Sequence, residues 1–258
     1  MITLISPAKS VNFKEPAPTE LFTSPDLLGQ SKQLITQLKR FNKTELMELM
    51  SISENLADLN LPRYKAFKPP FDLGNAKQAL YAFTGDVYRH MRMNTYDTEK
   101  LQFAQNHLRI LSGLYGYLRP LDLIQPYRLE MKTPLKTKRG DNLYQFWGTQ
   151  ITRAIKKELQ TDAFPAVINL ASKEYAKVVD FKTIKAPVVH IEFKEVESGK
   201  AKVIAIFAKW ARGMMADYTI QNGLNEPEQL KSFNLSEYKY SRNDSGDSNW
   251  VFTRPRPD

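Results

Sequence analysis

The chain has 258 residues, a formal net charge of +9, 42% hydrophobic residues and no cysteine. That length favours one large domain, the apolar content is enough for a proper core, and the missing thiols exclude disulfides, thiolate metal sites and cysteine nucleophiles. No window approaches the roughly 18 apolar residues of a membrane span, and the opening MITLISPAKS lacks the basic and long apolar regions of a secretory signal, so a cytoplasmic protein with no membrane partner is expected.

Ile2–Ile5 reads as a strand stopped by Ser6-Pro7. Residues 12–25 carry Pro16, Pro18 and Pro25 and read as a surface loop. Ser24-Pro25-Asp26 has the order of a helix start, and Leu27, Leu28, Leu34, Ile35, Leu38 and Phe41 fall on one side of the helix that follows. Thr44 is placed to cap a short helix, and Ser51 with Glu54 has capping-box spacing for another. Pro69-Pro70 breaks the pattern before an apolar segment and the turn Thr84-Gly85-Asp86. Asp97 begins a helix in which Leu101, Ala104, Leu108 and Leu111 keep helical spacing.

Residues 132–142 are basic and irregular, and Leu143–Leu159 is predicted as one amphipathic helix. The pattern then turns to strands at Ala166–Leu170, Val188–Val196 and Val203–Ala208, with a hairpin at Glu197–Lys200. A helix over Lys209–Gln221 and short strands near 236–241 and 249–253 complete the chain, with 225–258 the least assigned part. The expectation is an α+β fold: a single mixed α/β domain over 1–258 with a central mixed sheet flanked by helices.

Charge is unevenly placed. Residues 101–157 hold ten Lys/Arg against three Asp/Glu, whereas 158–258 hold fourteen of each. A localised basic segment attracts polyanions, of which nucleic acid is the commonest; the plainer alternative is a solvated face that binds nothing. Inside this segment lies HLRILSGLYGYLRPLDLIQPYRLEM, residues 107–131. Its Leu111-Ser112-Gly113-Leu114-Tyr115-Gly116 has the outline of a helix–hairpin–helix near 98–125, whose glycines would let backbone N–H groups meet phosphate. Arg109, Arg119, Arg128, Lys136, Lys138 and Arg139 would then join Gly113 and Gly116 on the DNA backbone without reading bases. A tight turn after a buried strand, with the glycines serving geometry alone, fits the same residues.

Three predicted strands run into hydroxyl- and cation-rich turns: Ser6–Ser10, Ala171–Tyr175 and Lys209–Gly213. If those strands lie parallel, Lys9, Ser172, Lys209 and Arg212 would line one cleft at the carboxyl edge of the sheet. In an enzymatic alternative acting on a nucleotide, a nucleobase or damaged DNA, Lys9 or Lys209 would supply the electrostatic or nucleophilic group and Asp86 or Glu174 the acid–base group. Individually each has a plainer role as a cap, a solvated lysine or an ion-pair partner. His90, His107 and His190 stand apart with no metal-ligand spacing, and no Walker-A or nucleophile-elbow motif is present, so neither metal nor cofactor is expected.

Taken together, LISPAKS (4–10), GDVY (85–88), LRILSGLYGYLRPLD (108–122), PYRLEM (126–131), LYQFWG (143–148), INLASKEY (168–175) and KWARGMM (209–215) resemble the YaaA family of peroxide-stress-resistance proteins. The resemblance implies a bacterial cytoplasmic protein protective against hydrogen peroxide, with an unusual α/β fold, a positively charged cleft and a helix–hairpin–helix. It also implies DNA binding linked to recombination-type DNA repair and its proteins, and it assigns no catalytic residue. A chain without cysteine cannot itself be the peroxide-sensing thiol.

Overall fold

The computed structural model describes residues 1–257. In chain order its strands are β1 (Ile2–Ile5), β2 (Lys77–Gln78), β3 (Leu108–Ser112), β4 (Gly116–Leu118), β5 (Leu123–Ile124), β6 (Val167–Asn169), β7 (Val188–Glu197), β8 (Lys200–Lys202), β9 (Lys239–Ser241) and β10 (Asn249–Pro255). Eight of them form a mixed sheet in the order β4-β3-β1-β6-β7-β10-β9, with β8 paired to β7. The inner strands β3, β1, β6, β7 and β10 are parallel, while β4, β8 and β9 run antiparallel to their partners. Strands β2 and β5 make a separate antiparallel pair.

Burial explains the composition of these strands. β1 has a partner on each edge and every residue of ITLI is buried, so it is a nearly continuous apolar run instead of an alternating one. β7 alternates, turning Val189, Ile191, Phe193 and Glu195 inward. From β1 the chain goes to β3 on one side and then to β6 on the other. The direction of winding therefore reverses beside β1, which opens a crevice at the carboxyl ends of β1 and β6.

Helix Thr98–His107 is capped by Asp97, whose carboxylate accepts the Lys100 N–H at 2.8 Å, and packs on β1 and β3. Helix Ala205–Gln221 crosses β7 and β1 and lies against the short helix Asp86–Arg89. That last contact depends on Gly213, where a Cβ would sit 2.0 Å from the Val87 carbonyl oxygen. None of the helices among the described residues is long and apolar enough to cross a membrane.

Several expectations are corrected. Val203–Ala208 is no strand: the helix already begins at Ala205, following the exposed β8. The predicted helix 143–159 is two, Leu143–Trp147 and Gln150–Leu159, separated at Gly148, where φ is +49°. Asn42, not Thr44, caps the helix Lys43–Met50.

The helix–hairpin–helix is replaced by a β-hairpin. The first helix ends at His107, Ile110 pairs with Ile5 on one side and Leu118 on the other, and β4 follows at Gly116. An apolar run of buried residues gains more as a central strand, hydrogen-bonded on both edges, than as helix ends around an exposed turn.

Candidate functional site

At the carboxyl ends of β1 and β6, the turn after β1 and the start of the short helix Lys173–Ala176 are stitched together. The Ser172 N–H donates to Ser6 Oγ at 2.9 Å, the two hydroxyls are 3.3 Å apart, and the Tyr88 hydroxyl donates to the Ser6 carbonyl at 3.0 Å. The Ser6–Ser10 turn also rests on Gly85, whose Cβ, if it had one, would lie 2.8 Å from that of Ala8. The close approach at Gly213 draws the helix Ala205–Gln221 over the same edge.

These contacts enclose a cavity of about 450 Å³ lined by Ser6, Pro7, Ala8, Lys9, Ser10, Gly85, Asp86, Val87, Tyr88, Arg89, Ser172, Glu174, Tyr175, Lys209 and Arg212. All four residues of the predicted cleft are among them, as are Asp86 and Glu174. Lys209 and Arg212 reach it from a helix, not from a strand-end turn.

The charges around the cavity are unequal. Lys9 Nζ is 2.8 Å from Glu130 Oε2 and Lys209 Nζ is 3.6 Å from Asp86 Oδ2, and both lysines are more than half exposed. Burial disfavours the Glu130 carboxylate, but Lys9, Arg128 and Lys132 outweigh it and hold its pKa below the usual carboxylate range. Glu174 accepts the Lys132 backbone N–H at 3.2 Å.

Arg212 differs from the other cations. It makes no ion pair within 4.0 Å among the described residues, and its buried Nε has no hydrogen-bond partner. Burial lowers its pKa, opposed only by the more distant Glu192. Arg89, at the rim, is exposed and likewise unpaired among the described residues.

The residues expected to bind DNA from the central segment are divided. Arg109 is buried, donates Nε to Glu158 at 2.9 Å, and serves the carbonyls of Gln105, Asn106 and Leu108 at the end of its preceding helix. Arg119 is tied to Asp122, Asp26 and the Ser24 carbonyl, and Arg128 to Glu130 at 2.7 Å.

The glycines are packing positions. A Cβ on Gly113 would fall 2.2 Å from the Leu129 carbonyl oxygen, and Gly116, at φ +71°, sits against the Trp147 ring. Their hairpin is interior, with Leu114 and Tyr115 fully buried, so it offers no donors to an external phosphate. Lys136, Lys138 and Arg139 are exposed, with the Arg139 guanidinium 4.8 Å from the centre of the Phe146 ring. Among the described residues no group of three or more His, Asp or Glu side chains is arranged to hold a metal.

Three site residues escaped the sequence reading. Tyr88 and Arg89 follow Gly85-Asp86 within one turn, a proximity that could have drawn attention. Ser6 stood in the hydroxyl-rich turn Ser6–Ser10 but was not named among the residues of the cleft.

Comparison with known proteins gives a consistent family. Residues 1–244 match the family described as peroxide stress protein YaaA. Two UPF0246 proteins of Neisseria gonorrhoeae strains are 45% and 46% identical to this chain, and one of Neisseria meningitidis serogroup B is 46% identical. Each alignment spans 254 residues, 98% of both chains.

Proposed function

The chain belongs to the peroxide stress protein YaaA family, and from that premise we propose that it serves the peroxide response as a cytoplasmic, non-sequence-specific DNA-binding protein working with DNA repair, its phosphate contact being the strand-end cleft. The observation that supports this most is Arg212, a guanidinium drawn into the cleft wall with neither an ion-pair partner nor, at Nε, a hydrogen bond among the described residues. Arginine stays charged in proteins. A buried N–H donor without an acceptor costs about 1–3 kcal/mol, and a bound anion would supply both the acceptor and the countercharge. Lys9 and Lys209 can exchange their carboxylate partners for phosphate oxygens, and Ser6 and Ser172 add hydroxyls. Contacts of this kind reach the sugar–phosphate backbone and read no bases.

The test is fluorescence anisotropy of a labelled random-sequence duplex over a series of salt concentrations. Arg212→Ala is expected to weaken binding and to flatten the log–log salt slope by about 0.9. Lys138→Ala with Arg139→Ala is expected to change neither. The opposite pattern returns the contact to the 132–142 loop.

A second reading, an enzyme acting on a nucleotide, a nucleobase or damaged DNA, is favoured by the acids. Asp86 and Glu174 line the same cavity as the cations. Carboxylates weaken a surface that only binds polyanions, but they are what acid–base chemistry beside a bound phosphate requires. Turnover lost in Asp86→Asn with binding retained would separate this reading from simple binding.

A further inference from the structure

We propose that a second anion site, sharing no residue with the strand-end cleft, lies where the basic turn Thr137–Gly140 faces the end of the helix Leu28–Leu38, and that it takes a compact run of linked phosphates. The inference goes beyond the DNA reading and does not depend on it.

The basic loop 132–142 is ordered where its charge is densest. Thr137 and Gly140 form an antiparallel bridge, the Thr137 N–H donating to the Gly140 carbonyl at 2.9 Å and the Gly140 N–H to the Thr137 carbonyl at 3.3 Å. Lys138 and Arg139 therefore occupy the tip of a closed turn. That turn is docked on the helix Leu143–Trp147. Gly140, at φ +146°, comes so near Gln145 that an added Cβ would lie 2.4 Å from the Gln145 Cβ, and Gln145 Oε1 accepts the Asp141 N–H at 2.6 Å. The ring of Phe146, beneath Arg139, holds the guanidinium without giving its N–H donors an oxygen.

A cavity of about 350 Å³ separates this turn from the helix Leu28–Leu38. Gln33, Thr36, Gln37 and Arg40 recur at helical spacing along its other wall. Three cations, Arg40, Lys138 and Arg139, line the space and no carboxylate does, whereas Asp86 and Glu174 stand among the cations of the cleft. None of those three side chains makes an ion pair or a hydrogen bond among the described residues, and the amides of Gln33 and Gln37 are equally free. A solvated basic face needs neither a fixed turn nor a concave, acid-free wall opposite it.

The space lies in the range of small-molecule sites, about 300–1,000 Å³. A single phosphate monoester carries only about −1.5 to −2 charges, fewer than the three cations gathered here, so two or more linked phosphates match them better. The carbonyl end of the helix opposes an anion with roughly half an elementary charge. Three full charges outweigh it, and its Ile35 and Gln37 carbonyls already accept the Lys39 and Arg40 N–H groups. The phosphate tail of a nucleoside triphosphate and a length of inorganic polyphosphate share this chemistry.

The experiment is calorimetric titration of the full chain with sodium tripolyphosphate at low salt, with orthophosphate, ATP and long-chain polyphosphate as parallel titrants. The variants are Arg40→Gln and the double variant Lys138→Gln with Arg139→Gln. All three side chains are exposed and unpaired among the described residues, so these variants keep the fold, as melting by circular dichroism checks.

Tripolyphosphate is expected to bind more tightly than orthophosphate and to lose about tenfold in affinity for each cation removed. Duplex affinity should be the same in the double variant as in the wild type. ATP binding more tightly than tripolyphosphate assigns the site to a nucleotide, and the reverse order to an inorganic chain; both uphold it. Tripolyphosphate binding that ignores these substitutions but is lost in Arg212→Ala puts the phosphates in the cleft and overturns the second site. A loss of duplex affinity in step with that of tripolyphosphate makes the turn part of the DNA contact and overturns it too. So does failure of every titrant to bind the folded wild type, by calorimetry and by equilibrium dialysis, and the DNA reading is then judged by its own test.

Discussion

Arg109→Ala separates a structural arginine from a DNA-binding one. In the folded chain the Arg109 side chain is 5% exposed and paired with Glu158. Its remaining donors reach the carbonyls of Gln105, Leu108 and Asn106 at 2.8, 2.6 and 3.2 Å, closing the end of the helix Thr98–His107. Truncation leaves those carbonyls unserved and Glu158 without its cation. Breaking a buried pair in this way costs about 3–5 kcal/mol. Glu158 is 27% exposed and keeps the Tyr117 hydroxyl at 2.7 Å, which points to the lower end of that range. For a chain of this length, about 3 kcal/mol corresponds to a fall in Tm of roughly 6–12 °C. Scanning calorimetry measures the fall, and anisotropy on the folded variant, well below its melting point, measures the salt slope, which should match the wild type. An unchanged Tm together with a slope reduced by about 0.9 would refute the structural assignment and put Arg109 on phosphate.

Gly113→Ala should lower Tm by circular dichroism, because the new Cβ meets the Leu129 backbone and overpacking of this kind costs about 1–3 kcal/mol or more; DNA affinity of the folded fraction should not move. Asp217→Asn should expose the segment 91–96 to limited proteolysis, since the buried carboxylate accepts the Arg92 N–H at 3.0 Å, Arg92 Nε at 2.8 Å and the Tyr96 hydroxyl at 2.8 Å. Acid should weaken the fold in a histidine-dependent way. Burial lowers the pKa values of His107 and His190, so the folded state favours their neutral forms. Their contribution is complete above the ordinary imidazole value of about 6.5 and is lost as pH falls through the lower folded values. Denaturant titrations from pH 7.5 downward should show this loss, and His190→Asn should reduce it.

The parts of the fold legible in the residues were those whose local signals agree with their tertiary setting. Ile2–Ile5, Val188–Val196 and the hairpin at Glu197–Lys200 combine β-rich composition with a turn that suits it, and β1, β7 and β8 follow. Asp97 is a cap by composition and by hydrogen bond. Where helical and strand periods overlapped, tertiary pairing decided. Leu108 and Leu111 continue the spacing of Leu101 and Ala104, yet β1 needs a parallel neighbour and takes them as β3. Val203–Ala208 is β-rich, but it is the lead into a helix whose Gly213 must meet Val87. A contact between residues so far apart in the chain leaves no local mark.

The site was legible in a different way. Composition drew attention to 101–157, where the positive charge is densest, but density along the chain does not measure free charge in space. Arg109, Arg119 and Arg128 each have a carboxylate at hand, and two of those acids, Asp26 and Glu158, lie outside the segment and did not count against it. Among the cations lining the strand-end cleft, the two without an ion pair among the described residues, Arg212 and Arg89, come from segments whose net charge is unremarked. A net sum hides them because nearby acids cancel them on paper while facing elsewhere in the fold. Strand-end turns carried better information, since parallel strands gather their carboxyl ends whatever the charge between them. The attraction for an anion is therefore set by which cations the fold leaves unpaired, and substitution of Arg212 should matter more to binding than that of Arg109, Arg119 or Arg128, whose charges the fold has already met.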